Sequence, residues 1–297
     1  MKRMRTRGLA LLVLCSLLLT PALAAEGNQS FQELRPPTPF EIGPQWTELD
    51  VTVQSGENTL RGTLTAPREI DGKLPVAILL HGLNTDRNWC ADIAWCLADH
   101  GIASVRFDFS GHGLSDGAQE DMTIARETSD VLAMLDYVEE LRFTDPDNIF
   151  LIGKSLGGVA ATLATESRGD EIRAMCLWYP GFGVTATTHF GFFLGEMYAP
   201  WDPPETLEIA GYTYGKAFLE EAAALDLTEP MQNYDRPVLI IHGDRDFIAP
   251  VVFSFGAANI FPDCTLEVVP GGFHGFLLFQ EMIALEHTLA FLQENMA

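Results

Sequence analysis

Positive charge is scarce in this chain: 18 lysines and arginines stand against 41 aspartates and glutamates, giving a net charge of −23. A surface this acidic repels nucleic acid and anionic membranes, so neither is an expected partner. Cysteine is sparse as well, with five in 297 residues. There is no C-x-x-C pair and no histidine-rich spacing, so no metal and no other cofactor is expected. A membrane-spanning run is missing too. The N-terminal apolar stretch from Leu9 to Leu19 falls short of the roughly 18 residues that a spanning helix needs. It follows Lys2, Arg3, Arg5 and Arg7 and precedes Pro21, Ala22, Ala24 and Ala25. That is the layout of a secretory leader cleaved after Ala24 or Ala25. Cys15 does not make a lipoprotein site, because Leu14 before it is not small.

The expectation is therefore a leader over residues 1–24 and a secreted or periplasmic protein over 25–297, without a stable membrane anchor. The leader carries four cations and no acid, so its loss takes the net charge from −23 to −27. Export permits a disulfide. Cys90 and Cys96 are close in sequence but would face different ways on one helix, so they bridge only if Cys90 precedes it. Cys176 lies in the apolar run "AMCLWY" and reads as core.

What the chain does have is an apolar content of 47%, enough for the core of one large domain. After a proline-rich arm at 35–44, the alternating stretches "TELDVTVQ" and "TLRGTLTAP" flank "SGEN" and read as an antiparallel pair. Six short apolar runs follow: "LPVAILLHG" (74–82), "IASVRFDFSG" (102–111), "NIFLIG" (148–153), "IRAMCLWYP" (172–180), "RPVLIIHG" (236–243) and "CTLEVVPGG" (264–272). Strands buried on both faces have this composition, and parallel sheets are built from them. Helical stretches lie between. The clearest, 122–142, puts Ile124, Thr128, Val131, Leu135 and Val138 on one face. Strand–helix alternation implies an α/β fold with a mostly parallel, doubly wound sheet. Residues 181–235 are too long for an ordinary crossover and rich in aromatics, so they read as a helical cap over the carboxyl edge of the sheet.

Chemistry concentrates at the strand ends. In "IGKSLGGVAA" Ser155 stands between Gly153 and Gly157, after an apolar strand and before a helical run. This is the pattern of a nucleophile elbow. Asp246 in "HGDRDFIAP" is the candidate orienting acid, with Asp244 as its rival, and His274 in "GGFHGF" is the candidate base. The order Ser155, Asp246, His274 is the order of α/β-hydrolases. Backbone N–H groups of Leu83, in "LLHGLN", and of Leu156 can form an oxyanion hole, each donor worth roughly 3–4 kcal/mol of transition-state stabilisation. His81 and Gly82 would shape that loop, and His112 would border the site. In the cap, Phe192, Phe193, Trp201 and Tyr214 are candidates for substrate contact.

Together "HGLN", "RFDFSGHGLSDG" with "EDMT", "GKSLGGVAA", "HGDRDFIAP" and "GGFHGF" resemble the α/β-hydrolase superfamily. The likeness is greatest to bacterial cinnamoyl (feruloyl) esterases and serine-aminopeptidase-like hydrolases. It spans residues 46–297 in motif order, strong in the core and weak in the cap. It implies Ser155 as nucleophile, His274 as base, Asp246 as orienting acid, and the amides of Leu83 and Leu156 as the hole. These esterases commonly carry histidine before the serine, where this chain has Lys154, which is expected to be solvated at the edge of the elbow. The leading expectation is an exported serine hydrolase that cleaves carboxylic esters through an acyl-enzyme, with aromatic acyl esters as substrates. A general short-chain esterase or monoacylglycerol-type lipase is the close rival. An aminopeptidase or acyltransferase ranks lower, and a non-catalytic binding module lowest, since that would predict a missing triad member.

Overall fold

The six apolar runs all supply strands to one sheet, and successive residues of its inner strands face opposite cores. A computed structural model describes residues 45–297; the leader reading at 1–24 and the arm at 35–44 lie outside the described residues. The first hairpin is β1 (Trp46–Ser55) and β2 (Asn58–Pro67), paired antiparallel. Next come β3 (Leu74–Leu80), α1 (Ala91–Asp99), β4 (Ala103–Phe107), α2 (Ile124–Glu140), β5 (Thr144–Lys154), α3 (Leu156–Arg168) and β6 (Ala174–Trp178). Val76, Ile78 and Leu80 of β3 join one core, while Ala77 and Leu79 between them join another. In β5, Ile149 and Leu151 face the first core, and Phe150 and Ile152 face the second. A strand apolar at every position needs cover on both faces. Helices α2 and α3 bring Val131, Met134, Val159 and Ala160 to one face, and α1 brings Ile93 and Leu97 to the other. Each fully buried valine, methionine, isoleucine or leucine among them contributes roughly 1.5–3 kcal/mol.

Between β6 and β11 (Val238–Gly243) runs the long connection: α4 (Val184–His189), β7 (Phe192–Phe193), β8 (Glu196–Met197), β9 (Thr206–Ile209), β10 (Tyr212–Gly215), α5 (Lys216–Ala224) and α6 (Thr228–Asn233). The expected cap is thus not purely helical, because it holds two hairpins. Their two-residue turns, Leu194–Gly195 and Ala210–Gly211, have positive φ at both positions. That is the geometry whose twist matches paired strands. Leucine and alanine are unusual first residues for such turns, which hid them in the sequence. The segment has its own packing, with Phe193, Tyr214 and Phe218 rings 5.0–6.0 Å apart. It is fastened to the body by Glu221, whose carboxylate accepts the N–H groups of Ile124 (2.6 Å) and Ala125 (2.8 Å) at the start of α2.

The chain closes with α7 (Val252–Ala258), β12 (Cys264–Val269) and α8 (Phe279–Glu294). Helix α8 lies on the α1 face, where its Ala284 and Leu292 join Ile93 and Leu97. The eight-stranded sheet has the order β1-β2-β4-β3-β5-β6-β11-β12. All its pairs are parallel except β1·β2 and β2·β4. Strand β5 sits centrally, with β6, β11 and β12 successively beside it, so their carboxyl-end loops line one edge. Cys90 caps the start of α1, as a bridge to Cys96 would require, yet all four cysteines among the described residues are free. Cys176 is fully buried.

Candidate active site

The turn from β5 into α3 is built by crowding. Ser155 has φ 52° and ψ −119°, a backbone state that costs of order 1–3 kcal/mol for a non-glycine residue. The surroundings hold it there. Its N–H donates to the Trp178 carbonyl (3.0 Å), and its own carbonyl accepts from Gly158 (3.0 Å) and Gly181 (2.8 Å). A Cβ at Gly153 would lie 2.6 Å from the Gly157 oxygen, and one at Gly157 2.5 Å from the His81 oxygen. Only glycine fits either position. The serine hydroxyl is left pointing out of the turn.

His274 follows β12, and its Nε2 lies 3.0 Å from Ser155 Oγ. Its Nδ1 lies 2.7 Å from Asp246 Oδ2. Asp246, in the loop after β11, is buried, and its Oδ1 accepts the N–H groups of Ile248 (2.9 Å) and Ala249 (2.8 Å). Burial by itself would raise this carboxyl's pKa. Hydrogen bonds from His242 and His274, the charge of His274 and the Ala249 amide outweigh it and hold the group well below the ordinary carboxylate range. The rival Asp244 is exposed and accepts from Gly271 N–H (2.6 Å) at the start of the histidine loop. It does not reach the imidazole.

His242, unremarked in the sequence, is the second imidazole on Asp246. It is fully buried, with Nε2 3.2 Å from Asp246 Oδ2 and 2.7 Å from the Ala249 carbonyl. Both neighbours are acceptors, so Nε2 carries the hydrogen, and Nδ1 meets Ser254 Oγ at 2.7 Å. The available signal was its position within the apolar run "VLIIHG", where a histidine must find partners in the interior.

Leu83 and Leu156 both line the cavity in front of Ser155. Leu156 opens α3, where the first amides have no helical acceptor. The loop that carries Leu83 is set by His81, whose Nε2 accepts the Phe109 N–H (3.0 Å) while Nδ1 lies 2.8 Å from the Gly82 oxygen. Burial, with the neighbouring His112 adding to it, lowers the His81 pKa to about 3. A neutral imidazole with both nitrogens committed is a brace, not a base. Burial also lowers the pKa of His112, whose ring lies 5.2 Å from that of His81.

The cavity encloses about 400 Å³. Its wall comes from the elbow, from the insertion (Gly183, Val184, Thr187 and 192–195) and from Phe247 to Pro250 of the acid loop. Of the four aromatic candidates, Phe192 and Phe193 line it and the other two do not. Tyr214 is fully buried in the core that the insertion shares with the α2–α3 face of the sheet, its hydroxyl accepting from Asn84, because β10 alternates Tyr212 out and Tyr214 in. Trp201 is 86% exposed in a turn and lines no part of the cavity.

Lys154 also departs from expectation, since it is 1% exposed rather than solvated. The reason is strand register. Phe150 and Ile152 face the α1–α8 core, so the residue two further along faces it too.

A family model described as serine aminopeptidase, S33, matches residues 74–204. The structure of Est1E from Butyrivibrio proteoclasticus with ferulic acid bound is 27% identical. It covers 82% of this chain and 98% of its own, with a TM-score of 0.79. The chain is a member of the α/β-hydrolase superfamily. Other proteins similar to this α/β-hydrolase include the human mitochondrial palmitoyl-protein thioesterase ABHD10, 29% identical over 69% of this chain and 67% of that protein. A probable dipeptidyl-peptidase 5 of Aspergillus niger is 25% identical over 81% of this chain. This α/β-hydrolase spans only 31% of the length of that peptidase.

Proposed function

We propose that the protein is an exported serine esterase acting through an acyl-enzyme, with a preference for aromatic acyl groups. The observation that carries the reading is the unbroken line from Asp246 Oδ2 through His274 to Ser155 Oγ, at 2.7 and 3.0 Å. Ser155 Oγ attacks the ester carbonyl as its proton passes to His274 Nε2. The Leu83 and Leu156 amides receive the oxyanion, and Asp246 steadies the imidazolium. Collapse expels the alcohol, which takes the proton from His274. A water molecule then repeats the sequence and releases the acid.

The residues lining the cavity include no charged side chain; Ser155 and Thr187 are its polar ones. Such a wall suits a neutral apolar acyl group. It offers no carboxylate to hold the free amino group that an aminopeptidase must recognise, and this favours the ester reading. Phe192, Phe193 and Phe247 supply rings against which a planar acyl group can pack, worth about 0.5–1.5 kcal/mol per well-placed pair. Methyl ferulate is therefore expected to exceed a hexanoate ester in kcat/KM by roughly tenfold. A better rate on the hexanoate overturns the aromatic preference and leaves a general esterase.

The pH profile tests the base. His274 must be unprotonated to accept the serine proton, so kcat/KM rises from acid pH as one proton is lost, then levels off. His81 and His112 are held below the ordinary range and Asp246 lower still. His81, at about 3, and Asp246 therefore add no limb there. A rate independent of pH between about 5 and 8 would rule out a histidine base. Export rests on the leader at 1–24; an exported protein still beginning at Met1 contradicts cleavage. The acidic surface argues for a small ester as substrate and against nucleic acid.

A further inference from the structure

The buried Lys154 calls for a physical account, because an amino group enters a protein interior at a cost unless it is paired and hydrogen-bonded. Its Nζ donates to the Trp89 carbonyl at 2.6 Å and lies 3.7 Å from Glu281 Oε1. It also sits 4.8 Å from the ring centre of Trp178 and 5.2 Å from that of Trp89, within the range of cation–π attraction. Buried ion pairs are weak sources of stability, so stability alone does not account for it.

Its partners belong to the segments that carry the other parts of the site. Trp89 lies on the stretch after β3 that also bears Leu83. A Cβ at Gly82, next to Leu83, would come 2.7 Å from the Trp89 ring, and one at Gly275, next to His274, would come 3.3 Å from it. The Trp89 ring therefore stands between the oxyanion loop and the histidine loop. Tyr179 completes the wall, 5.8 Å from Trp89 and 4.9 Å from the His274 ring. Glu281 lies in the first turn of α8, into which the histidine loop runs. Lys154 itself adjoins Ser155 in the chain.

We propose that Lys154 is a positioning residue that uses one buried nitrogen to fix the serine elbow, the oxyanion loop and the histidine loop relative to one another, chiefly by holding Trp89 as the wedge between the last two. The proposal rests on the serine-hydrolase reading above. Ser155 Oγ is partnered by His274 and not by Lys154, so the lysine acts through its neighbours. Small errors in such a geometry are expensive in rate: a displacement of about 1 Å can cost about 100-fold.

The test uses the full-length protein, with active sites counted by labelling with a fluorophosphonate so that rates refer to competent enzyme. Lys154→Met keeps the unbranched shape and removes the charge and the donor. It is expected to lower kcat on a small acetate ester by about tenfold or more, with KM changed less than about twofold. Lys154→Arg, which retains a donor and a charge, recovers part of the loss. Trp89→Phe also lowers kcat, and the double variant loses less than the product of the two single losses, because both act on the same wedge. A Lys154→Met enzyme with wild-type kcat, or a loss that appears only in KM, overturns the proposal. Fully independent effects of the two substitutions overturn the route through Trp89. If Lys154→Met does not fold, Glu281→Gln carries the test: it loosens one tie from the partly exposed side and lowers kcat by about threefold, and an unchanged kcat overturns the proposal. A wild-type protein that the fluorophosphonate fails to label at Ser155 removes the serine-hydrolase reading as well, which separates the two failures.

Discussion

Ser155→Ala is expected to abolish ester hydrolysis almost completely, with a loss of about 10⁶ in kcat, while the protein stays folded. The fold should survive because everything that holds the elbow acts on the backbone of residue 155. The bonds to Trp178, Gly158 and Gly181 use its amide and carbonyl, and alanine keeps the Cβ while losing only Oγ. The positive φ of 52° is no harder for alanine than for serine. What disappears is the atom that would bond to the substrate carbonyl and the partner of His274 Nε2. The oxyanion amides and the cavity remain, so a residual rate of about 10³–10⁴ over water is expected. Rates on methyl ferulate and on an acetate ester, together with the thermal midpoint, check this. A folded variant within tenfold of wild type would dismiss Ser155 as the nucleophile.

The inner strands were legible because β3, β4, β6 and β11 are buried on both faces, and continuous apolar runs such as "PVAILL" have few other uses; β12, read as buried like them, lies at the sheet edge and is mostly exposed or half-exposed. The residues at the sheet's carboxyl edge were legible for a related reason: glycines and a polar residue directly after an apolar run mark a tight exit from a strand. Side chains that turn inward against their own chemistry were not legible. Lys154 reads as surface by type, and only the register of β5 against Trp178 and Trp89 buries it. Glu127 and Asp130 lie on the buried face of α2, where the periodicity of Ile124, Val131 and Val138 gives no warning of carboxyls. Burial, with Asp130 and Glu221 nearby, pushes the Glu127 carboxyl well above its usual range. The aromatics of the insertion were ambiguous in principle. Phe192 and Phe193 are adjacent yet one is half-exposed and the other buried, and a hairpin that was not foreseen decides which ring does what.

Asp246→Asn is expected to lower kcat by about 10⁴, whereas Asp244→Asn changes it by no more than about threefold. The difference follows from what each carboxylate must accept. At Asp246 the amides of Ile248 and Ala249 both point at Oδ1, so an asparagine there puts its carbonyl oxygen in that place. Its NH₂ group then takes the place of Oδ2, facing His274 Nδ1 and the Nε2–H of His242. Toward His242 two donors meet. Toward His274 the NH₂ demands an acceptor at Nδ1, which moves the imidazole hydrogen to Nε2, the atom that must take the serine proton. The enzyme is left with its shape and the wrong tautomer. At Asp244 the Gly271 N–H needs only an acceptor, and an asparagine carbonyl supplies one. Linkage adds a stability signature. Because the folded state holds the Asp246 carboxyl below its ordinary range, its contribution is fully present above about pH 4 and fades as pH falls toward the folded value. The stability gap between wild type and Asp246→Asn should therefore narrow on acidification below that point. Kinetics of both variants on one ester, with denaturant unfolding at neutral and acid pH, decide the matter. Severe loss at Asp244 with a mild effect at Asp246 would move the orienting acid to the other carboxylate.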